Sequence, residues 1–331
     1  MSDQPSSLTM RAIVQDTYGP PDSLEVGEIP RPESGDGELL VRVQAAGVDA
    51  GVWHATTGLP YLARLGLGLR KPKNRVPGLA FAGRVETVGA GVAGFAPGDE
   101  VYGTCGGSFA HYAVARPDKV AAKPANLTVA EAAAVPVSSV TALKAVREAG
   151  RIQPGQRVLV TGAGGGVGTY AVQLAKAYGA HVTGVCSAAK TDIVRSLGAD
   201  EVIDYATTDF TRGREQYDLI IDIAGNRRVT DLRRVLTPRG TLVIVGGEGG
   251  GRWLGGFHRT LRAMLVSLFV RQRLRGLIAI DRAEDLKVVT QLIEAGKVTP
   301  AVDRTFPLNE AGRAVQYLHE SRARGKIVIT T

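Results

Sequence analysis

The chain has 331 residues, of which 44% are hydrophobic and 22% charged, so it is neither disordered nor fibrous and is long enough for two domains. Its net charge of +8 suits an anionic ligand such as a phosphorylated cofactor, and no nucleic-acid partner is expected because no helix-turn-helix or zinc-knuckle pattern is present. No apolar run approaches the ~20 residues of a membrane span and Met1–Thr9 is polar, so we expect a cytoplasmic protein in which Cys105 and Cys186 stay reduced.

The first part of the chain, from Arg11 to Val135, has short apolar runs that Gly and Pro interrupt at close intervals. This pattern predicts an all-β domain. A helical stretch begins at Glu131, and Ser139–Ala149 is predicted to be the helix that links this domain to the next. The predicted strands are Ala12–Gln15, Leu39–Ala45, Ala82–Val88, Glu100–Tyr102 and Phe109–Val114.

Strands and helices alternate in the second part of the chain. The predicted strands are Arg157–Thr161, His181–Cys186, Glu201–Asp204, Tyr217–Ile223 and Thr241–Val245. Such alternation predicts a parallel, doubly wound α/β sheet with right-handed crossovers. The segment Ala283–Ala295 is predicted to be helical. The tail from Val302 ends in a strand, Lys326–Thr330, which we expect to pack back on the first domain.

A cluster of glycines follows the first of these strands and opens the predicted helix Val167–Tyr178. Ala163, Gly165 and Gly168 occupy the three positions of the Gly-x-Gly-x-x-Gly fingerprint. A helix start leaves backbone N–H groups unpaired and carries the positive end of the helix dipole, and glycine lets a pyrophosphate approach closely. The motif predicts a nicotinamide dinucleotide, with a structural turn or a flavin site as alternatives. The cradle residues are Gly162, Ala163, Gly164, Gly165, Gly166, Val167 and Gly168.

Seven short motifs run from one end of the chain to the other. They are Arg11-Ala-Ile-Val, Ala45-Ala-Gly-Val-Asp49, Pro77-Gly-Leu-Ala-Phe-Ala-Gly83, Gly98-Asp-Glu-Val-Tyr102, Thr161–Gly168, Leu197–Tyr205 and Gly325-Lys-Ile-Val. With them the chain resembles the medium-chain dehydrogenase/reductase superfamily, in its zinc-free quinone oxidoreductase-like branch. The resemblance implies a GroES-like, β-rich catalytic domain of residues 1–136 and 297–331 and a Rossmann domain of residues 137–296.

The same resemblance locates the positions at which zinc-dependent relatives carry metal ligands. In this chain those positions hold Asp49, Leu79 and Val137. A catalytic zinc needs about three Cys, His or carboxylate ligands, which Leu79 and Val137 cannot supply. We therefore expect no catalytic metal, and alcohol oxidation that relies on a metal Lewis acid is disfavoured.

The end of the second Rossmann strand decides between NADH and NADPH. An acidic residue there usually binds the adenosine ribose and repels a 2′-phosphate, whereas this chain has Cys186, Ser187 and Lys190. These residues predict NADPH; the alternative for Lys190 is a solvated lysine at a helix start. The resemblance adds Tyr205 near the adenosine phosphate, where packing at the sheet rim is the alternative, and Thr141 near the nicotinamide, where a helix cap is the alternative. It also assigns the strand-end residues Ala224, Gly225, Val245, Gly246 and Gly247 to the nicotinamide side.

Without a metal, the reduction depends on the position of the hydride and on a donor for the negative charge that develops on oxygen. The candidates facing the nicotinamide are Asp49, His54 and Tyr61. An ionised Asp49 accepts hydrogen bonds but donates none, and His54 is either a proton relay or a packing residue. Tyr61 lies in an apolar loop, Gly58–Arg75, which indicates a small hydrophobic carbonyl or quinone substrate or simply a cover for the cleft.

These features predict a zinc-independent, NADPH-dependent oxidoreductase that reduces a quinone or an α,β-unsaturated carbonyl. A metal-free alcohol/aldehyde oxidoreductase is the second interpretation. A non-enzymatic protein on the same fold, which senses the cofactor or binds nucleic acid, is the third.

The segment Gly251–Gly276 combines apolar residues with six arginines and resembles an amphipathic helix with charged ends. We favour a lid or a subunit contact for it over binding to a membrane surface. A homodimer is therefore expected.

Overall fold

The computed structural model describes residues 8–247 and 251–331, so most of the polar start Met1–Thr9 lies outside the described residues. The strands are β1 Thr9–Val14, β2 Glu25–Pro30, β3 Leu39–Val48, β4 Ala80–Val88, β5 Glu100–Thr104, β6 Tyr112–Ala115, β7 Val120–Ala122, β8 Arg157–Thr161, β9 His181–Cys186, β10 Glu201–Asp204, β11 Tyr217–Asp222, β12 Leu236–Ile244, β13 Arg273–Gly276, β14 Val302–Pro307 and β15 Lys326–Thr330. The helices are α1 Ala50–Thr57, α2 Arg64–Leu67, α3 Val129–Ala133, α4 Pro136–Leu143, α5 Gly166–Ala177, α6 Thr191–Ser196, α7 Val229–Arg234, α8 Gly251–Leu254, α9 Phe257–Ser267, α10 Ala283–Glu294 and α11 Ala311–His319.

The second half of the chain forms a six-stranded sheet in the order β10-β9-β8-β11-β12-β13. Every pairing in this sheet is parallel. The crossovers run through helices because parallel strands cannot be joined by a tight turn. The predicted strands Arg157–Thr161, His181–Cys186 and Glu201–Asp204 agree with β8, β9 and β10 residue for residue. The predicted α/β class with a parallel Rossmann sheet is confirmed.

The first half of the chain forms a mostly antiparallel sheet in the order β14-β15-β3-β4-β5-β7, with β6 also paired to β3. The C-terminal strand β15 runs antiparallel to β3 and parallel to β14. The tail of the chain therefore completes the sheet that its beginning started, which brings residues near Val48 and Lys326 to the same place. A separate hairpin, β1 with β2, covers one side.

Buried contacts hold the two sheets together. Helix α4 continues into a π-helical turn, Lys144–Ala149, and the largest hydrophobic cluster includes residues of both sheets. The hydroxyl of Tyr102, on β5, donates to the backbone oxygen of Leu286 at 3.0 Å and lies 2.8 Å from the hydroxyl of Thr290, both on α10. Because Tyr102 is fully buried, this contact ties α10 of the Rossmann domain to the first sheet.

The sequence interpretation is wrong about two segments in particular, and the strand predicted at Thr241–Val245 begins earlier, at Leu236. The segment Gly251–Gly276 is not one helix: it comprises α8, α9 and the edge strand β13, because Leu274 is buried in the sheet. The strand predicted at Phe109–Val114 begins only at Tyr112, after the isolated bridge that Ala110 makes with Ala12. Across residues 8–247 and 251–331, none of the helices has the length and apolarity needed to cross a membrane.

Candidate active site

The glycine loop connects β8 to α5. Gly162 has a φ of +69°, a conformation that other residues rarely adopt, and Gly165 caps the helix that begins at Gly166. A Cβ on Gly168 would lie 2.1 Å from the carbonyl oxygen of Gly162, so only glycine lets the loop fold over the helix. A Cβ on Gly165 would meet nothing closer than 3.4 Å. Packing therefore does not require glycine at position 165, where a pyrophosphate is predicted to approach the loop.

The first turn of α5 has the features of a phosphate site. Its amide N–H groups lack carbonyl partners within the helix, and the helix dipole places partial positive charge there. The predicted cradle residues from Gly162 to Gly168 lie together at this point, at the carboxyl end of β8. Ala163 and Gly168 are buried and pack against each other on the inner side of the loop. The residues present fit a dinucleotide pyrophosphate.

A buried network of charged and polar side chains lies beneath the turns that follow β11 and β12. Asp222, fully buried at the end of β11, accepts hydrogen bonds from Thr161 Oγ1 at 2.7 Å and from Arg259 Nη2 at 2.6 Å. The Thr161 hydroxyl in turn accepts from the backbone N–H of Ala224 at 3.3 Å. Arg259 belongs to α9, so this network attaches α9 to the predicted nicotinamide turns. The sequence interpretation did not identify Thr161, Asp222 or Arg259.

The two predicted turns lie side by side. A Cβ on Gly225 would lie 2.5 Å from the Cα of Gly247, and a Cβ on Gly246 would lie 2.3 Å from the oxygen of Ile223. Val245 continues β12 toward the same point, where its N–H donates to the oxygen of Asp222. The five strand-end residues assigned from the sequence therefore form one surface at the carboxyl edge of the sheet, where ligands of such sheets bind.

A small cavity of about 40 Å³ lies between the glycine loop and the ends of the strands. It brings together three predicted residues, Gly162, Tyr205 and Ala224, and Tyr205 is 47% exposed at its rim. Its other lining residues, which the sequence did not single out, are Thr161, Val185, Phe210, Asn226 and Arg227.

The predicted residues at the end of β9 lie next to the glycine loop. Cys186 is buried, and burial raises the pKa of its thiol. Ser187 begins a short 3₁₀ turn that leads to Lys190. A Cβ on Gly164 would lie 2.7 Å from Cβ of Lys190, whose ammonium donates to the backbone oxygen of Ser321 at 2.9 Å. Lys190 is therefore held beside the cradle by the segment before β15.

A buried ion pair lies on the other side of the helix start. Lys326 Nζ, 2% exposed on β15, donates to Asp49 Oδ1, to Ser138 Oγ at 3.1 Å and to the oxygen of Val48 at 3.2 Å. Ser138 Oγ also donates to Asp49 Oδ1 at 2.9 Å, whereas Asp49 Oδ2 is buried without a hydrogen-bond partner among the described residues. A Cβ on Gly166 would lie 3.1 Å from Cδ of Lys326, so the pair lies directly against the start of α5.

The sequence interpretation singled out Asp49 but not Lys326 or Ser138. A lysine at the head of an apolar strand is a sign that could have identified Lys326, because lysine is almost never fully buried without a partner. The identity of that partner depended on the pairing of β15 with β3.

The other two catalytic candidates lie on α1 and in the short turn that follows it. His54, on α1, has its Nδ1 2.6 Å from the oxygen of Leu59, so Nδ1 carries the proton and Nε2 is the atom able to accept one. The ring of Tyr61 packs edge-on against Trp253 of α8 at 5.2 Å, and the guanidinium of Arg64 lies over it at 4.8 Å. Trp253 was not predicted as a neighbour of Tyr61.

Thr141 lies inside α4 rather than at its start. Its hydroxyl donates to the backbone oxygen of Val137, one turn earlier, at 2.7 Å. The structure therefore excludes the interpretation of Thr141 as a helix cap.

The residues at the family's metal-ligand positions do not fit a catalytic zinc. Leu79 and Val137 carry no ligand atom, and the carboxylate of Asp49 is bound by Lys326. Within the described ranges, no three His, Cys, Asp or Glu side chains are grouped so that they could hold a metal ion.

Comparisons with known proteins agree with this fold. Residues 35–125 match the family model described as alcohol dehydrogenase GroES-like domain, and residues 197–329 match the model described as zinc-binding dehydrogenase. The chain is 32% identical to the chloroplast envelope quinone oxidoreductase homolog of Arabidopsis thaliana, over 97% of this chain and 98% of that one. It is 31% identical to 2-methylene-furan-3-one reductase of Solanum lycopersicum, over 97% of this chain and 79% of the relative.

Among solved structures, the quinone oxidoreductase from Coxiella burnetii is 28% identical, with a TM-score of 0.86 over 98% of this chain and 100% of that one. Full-length matches at this level confirm the resemblance that the motifs indicated, including the GroES-like domain. The family implies a nicotinamide cofactor. The chain belongs to the medium-chain dehydrogenase/reductase superfamily, in its quinone oxidoreductase-like branch, and is an oxidoreductase of that family.

Proposed function

We propose that this protein is a zinc-independent, NADPH-dependent reductase of quinones or α,β-unsaturated carbonyls. The observation that carries the proposal is the ion pair of Lys326 and Asp49 against the start of α5. At the position of a family zinc ligand, this chain has a carboxylate that a buried ammonium already binds. A fixed positive charge of the protein thus takes the place that a metal ion has in zinc-dependent relatives.

The cofactor would be held along the carboxyl edge of the parallel sheet. The first turn of α5 and the glycine loop would bind the pyrophosphate, and Lys190 with Ser187 would face the adenosine 2′-phosphate. On the nicotinamide side, the buried Asp49 Oδ2 has no hydrogen-bond partner among residues 8–247 and 251–331, and we propose it as the acceptor for an amide N–H₂ such as that of the nicotinamide carboxamide.

The reduced nicotinamide supplies a hydride when it is bound. The chain must then stabilise the negative charge that forms on the substrate oxygen and deliver a proton to it. Asp49 cannot donate while it is ionised. The Tyr61 hydroxyl is the proton donor that we propose, and His54 can donate from Nε2 only after that atom has taken up a proton. The apolar loop that carries Tyr61, with Leu62, Leu65 and Leu69 partly exposed, would bind a hydrophobic substrate and exclude water.

The relatives support the substrate class, because one is named as a quinone oxidoreductase homolog and another as the reductase of a conjugated furanone. The Arabidopsis relative is named as a chloroplast envelope protein. The cytoplasmic location that we expect for the present chain stays a prediction.

The test is NADPH oxidation by the purified protein with three substrate sets: quinones, conjugated enones, and saturated aldehydes of matched size. We expect turnover with at least one of the first two, unchanged by a strong chelator, and slower turnover with NADH. Loss of activity on chelation would overturn the zinc-independent mechanism. Turnover of saturated aldehydes alone would favour the alcohol/aldehyde interpretation, and cofactor binding without any turnover would favour a sensor.

We also propose that the protein is a homodimer joined through the open edge of β13. This strand is the last of the six-stranded sheet, and the residues after it include Ile278, 83% exposed, and Ile280, 59% exposed. An unpaired edge beside exposed apolar side chains is a ready site for a second strand. Light scattering of the intact protein tests this, and Ile278→Glu should shift the mass from dimer to monomer.

A further inference from the structure

A second surface of the molecule is both apolar and strongly positive. Residues 251–280, called the insertion here, contain six arginines and no Asp, Glu or Lys. One of the six, Arg259, is neutralised by Asp222, whereas Arg252, Arg262, Arg271 and Arg273 are exposed. A surface of this charge is suited to an anionic partner.

Helix α9 in the insertion exposes large apolar side chains, whereas an ordinary surface helix buries them. Its buried side carries Ala263 and the ion-paired Arg259. Three apolar side chains of the helix point to solvent instead, and two more follow its last residue at 77% and 86% exposure. A contiguous exposed apolar face of this kind marks an interaction site rather than a solvated surface. The five are Leu261, Met264, Leu265, Leu268 and Phe269.

A recess lined with arginines adjoins the end of this apolar face. It has a volume of about 360 Å³ and includes the side chains of Arg233, Arg234 and Arg271 together with Val270, the residue after Phe269. Arg234 is partly neutralised by Asp231 at 3.4 Å, and Arg233 donates to Gln272 at 2.8 Å. The recess therefore offers guanidinium groups to a phosphate. One of them, that of Arg271, lies two residues after the apolar Phe269.

We propose that the insertion docks this protein on the surface of an anionic phospholipid bilayer. In this arrangement the apolar face of α9 would enter the acyl boundary, and the exposed arginines and the recess would contact headgroup phosphates. A second copy meeting the apolar face of α9, rather than the edge of β13, would place Arg262 against its own symmetry mate with no acidic residue of the insertion to pair it. Nucleic acid would leave the apolar face without a partner.

The insertion also contacts the Tyr61 loop and the nicotinamide turns, between which the substrate cleft is predicted. Trp253 packs on Tyr61, a Cβ on Gly255 would lie 2.8 Å from Pro60, and Gly256 lies against Gly247 of the nicotinamide turns. Docking would thus bring the cleft toward the lipid. One consequence rests on the proposed function: a substrate dissolved in the bilayer would reach the site without crossing water.

The experiment is flotation of the full-length protein with vesicles of phosphatidylcholine alone and of phosphatidylcholine with phosphatidylglycerol. We expect binding to the second kind only, weakened by salt. The double variant Leu265→Glu/Phe269→Glu should lose binding by tenfold or more, as should Arg262→Gln/Arg271→Gln. Leu8→Glu and Arg11→Gln, at exposed positions of the other domain, are the matched controls and should bind like the parent.

Four results would overturn the proposal. Three of them are flotation results: equal binding to both kinds of vesicle, no binding to either, and binding that the α9 variants retain. The fourth is a parent oligomer that Leu265→Glu/Phe269→Glu dissociates, because this result would assign the face to a second copy. Unchanged circular dichroism of the variants shows that a loss of binding is not a loss of fold. Because flotation needs no turnover, its outcome is independent of the reductase assay.

Discussion

Lys326 and Asp49 are separated by 277 residues in the sequence, yet their side chains form a buried ion pair against the start of the cofactor helix. The two residues come from antiparallel neighbours, the strand β15 and the residue after β3. Ser138, at the start of the linking helix region, completes the cluster. Three distant parts of the chain therefore meet where the two domains face each other.

Replacing Lys326 by methionine should leave Asp49 buried with an uncompensated charge. We expect a loss of about 3–5 kcal/mol in the free energy of unfolding, measured by urea denaturation, because breaking one half of a buried pair is costly. The double variant Lys326→Met/Asp49→Asn should recover most of this loss. Lys297→Met, at an exposed lysine, is the control and should cost less than about 0.5 kcal/mol. A cost for Lys326→Met as small as that of the control would refute the pairing.

Gly165→Ala and Gly168→Ala separate cofactor binding from folding. At position 165 the new methyl meets no atom within 3.4 Å, so the melting temperature should hardly change. The methyl would keep a pyrophosphate away, and the Kd for NADPH should rise at least about tenfold, or 1.4 kcal/mol. At position 168 the methyl would lie 2.1 Å from a carbonyl oxygen, so stability itself should fall. Calorimetric titration and thermal melts of both variants give the comparison. Unchanged NADPH affinity in Gly165→Ala would argue against the phosphate site.

Lys190→Ala tests the choice between NADPH and NADH. If the ammonium faces the 2′-phosphate, affinity for NADPH should fall on the order of tenfold while affinity for NADH stays nearly constant. The matched control is Lys287→Ala, an exposed lysine on α10. Equal losses for both cofactors would indicate that Lys190 supports the loop through Gly164 and Ser321 rather than reading the phosphate.

Arg259→Met should destabilise the protein far more than Arg262→Met, although both arginines lie on α9. Arg259 neutralises the fully buried Asp222, so its loss should cost about 3–5 kcal/mol. Arg262 is exposed, and its replacement should change stability by less than about 0.5 kcal/mol. Denaturation curves of the two variants are the measurement, and similar costs would show that the network with Thr161 and Asp222 contributes little.

Asp281 should make stability depend on pH. Burial, with a smaller contribution from the nearby Asp49 carboxylate, raises its pKa from 3.8 to about 6. The folded state therefore binds this proton more tightly than the unfolded state does. The stabilisation is complete below the unfolded pKa and is lost as pH rises through about 6. Asp281→Asn should remove this dependence and be more stable than the parent above pH 6, by on the order of 1–2 kcal/mol. Parallel melts between about pH 4 and pH 7 would show it, and curves with the same slope would refute it.

Local patterns were sufficient to predict five of the six strands of the Rossmann sheet. The ends of β8, β9 and β10 follow from apolar runs bounded by turn residues, and the glycine loop follows from the spacing of Gly162 to Gly168. The start of β6 and the division of residues 251–276 into two helices and a strand did not follow, because the pairing of neighbouring strands overrides local preference at such sites.

The sequence by itself determined the alternation of strands and helices and predicted the glycine loop as a cofactor cradle, since both depend on residues close together in the chain, whereas the family resemblance located Asp49, Leu79 and Val137 at the metal-ligand positions. Only the tertiary structure decided that Lys326 neutralises Asp49, that Arg259 anchors α9 to Asp222, and that α9 turns its apolar face to solvent. The two ion pairs join residues that are 37 and 277 positions apart. The exposure of α9 depends on which side of the helix packs against the sheet. They are set by strand pairing and by the desolvation of charge, which no local pattern encodes.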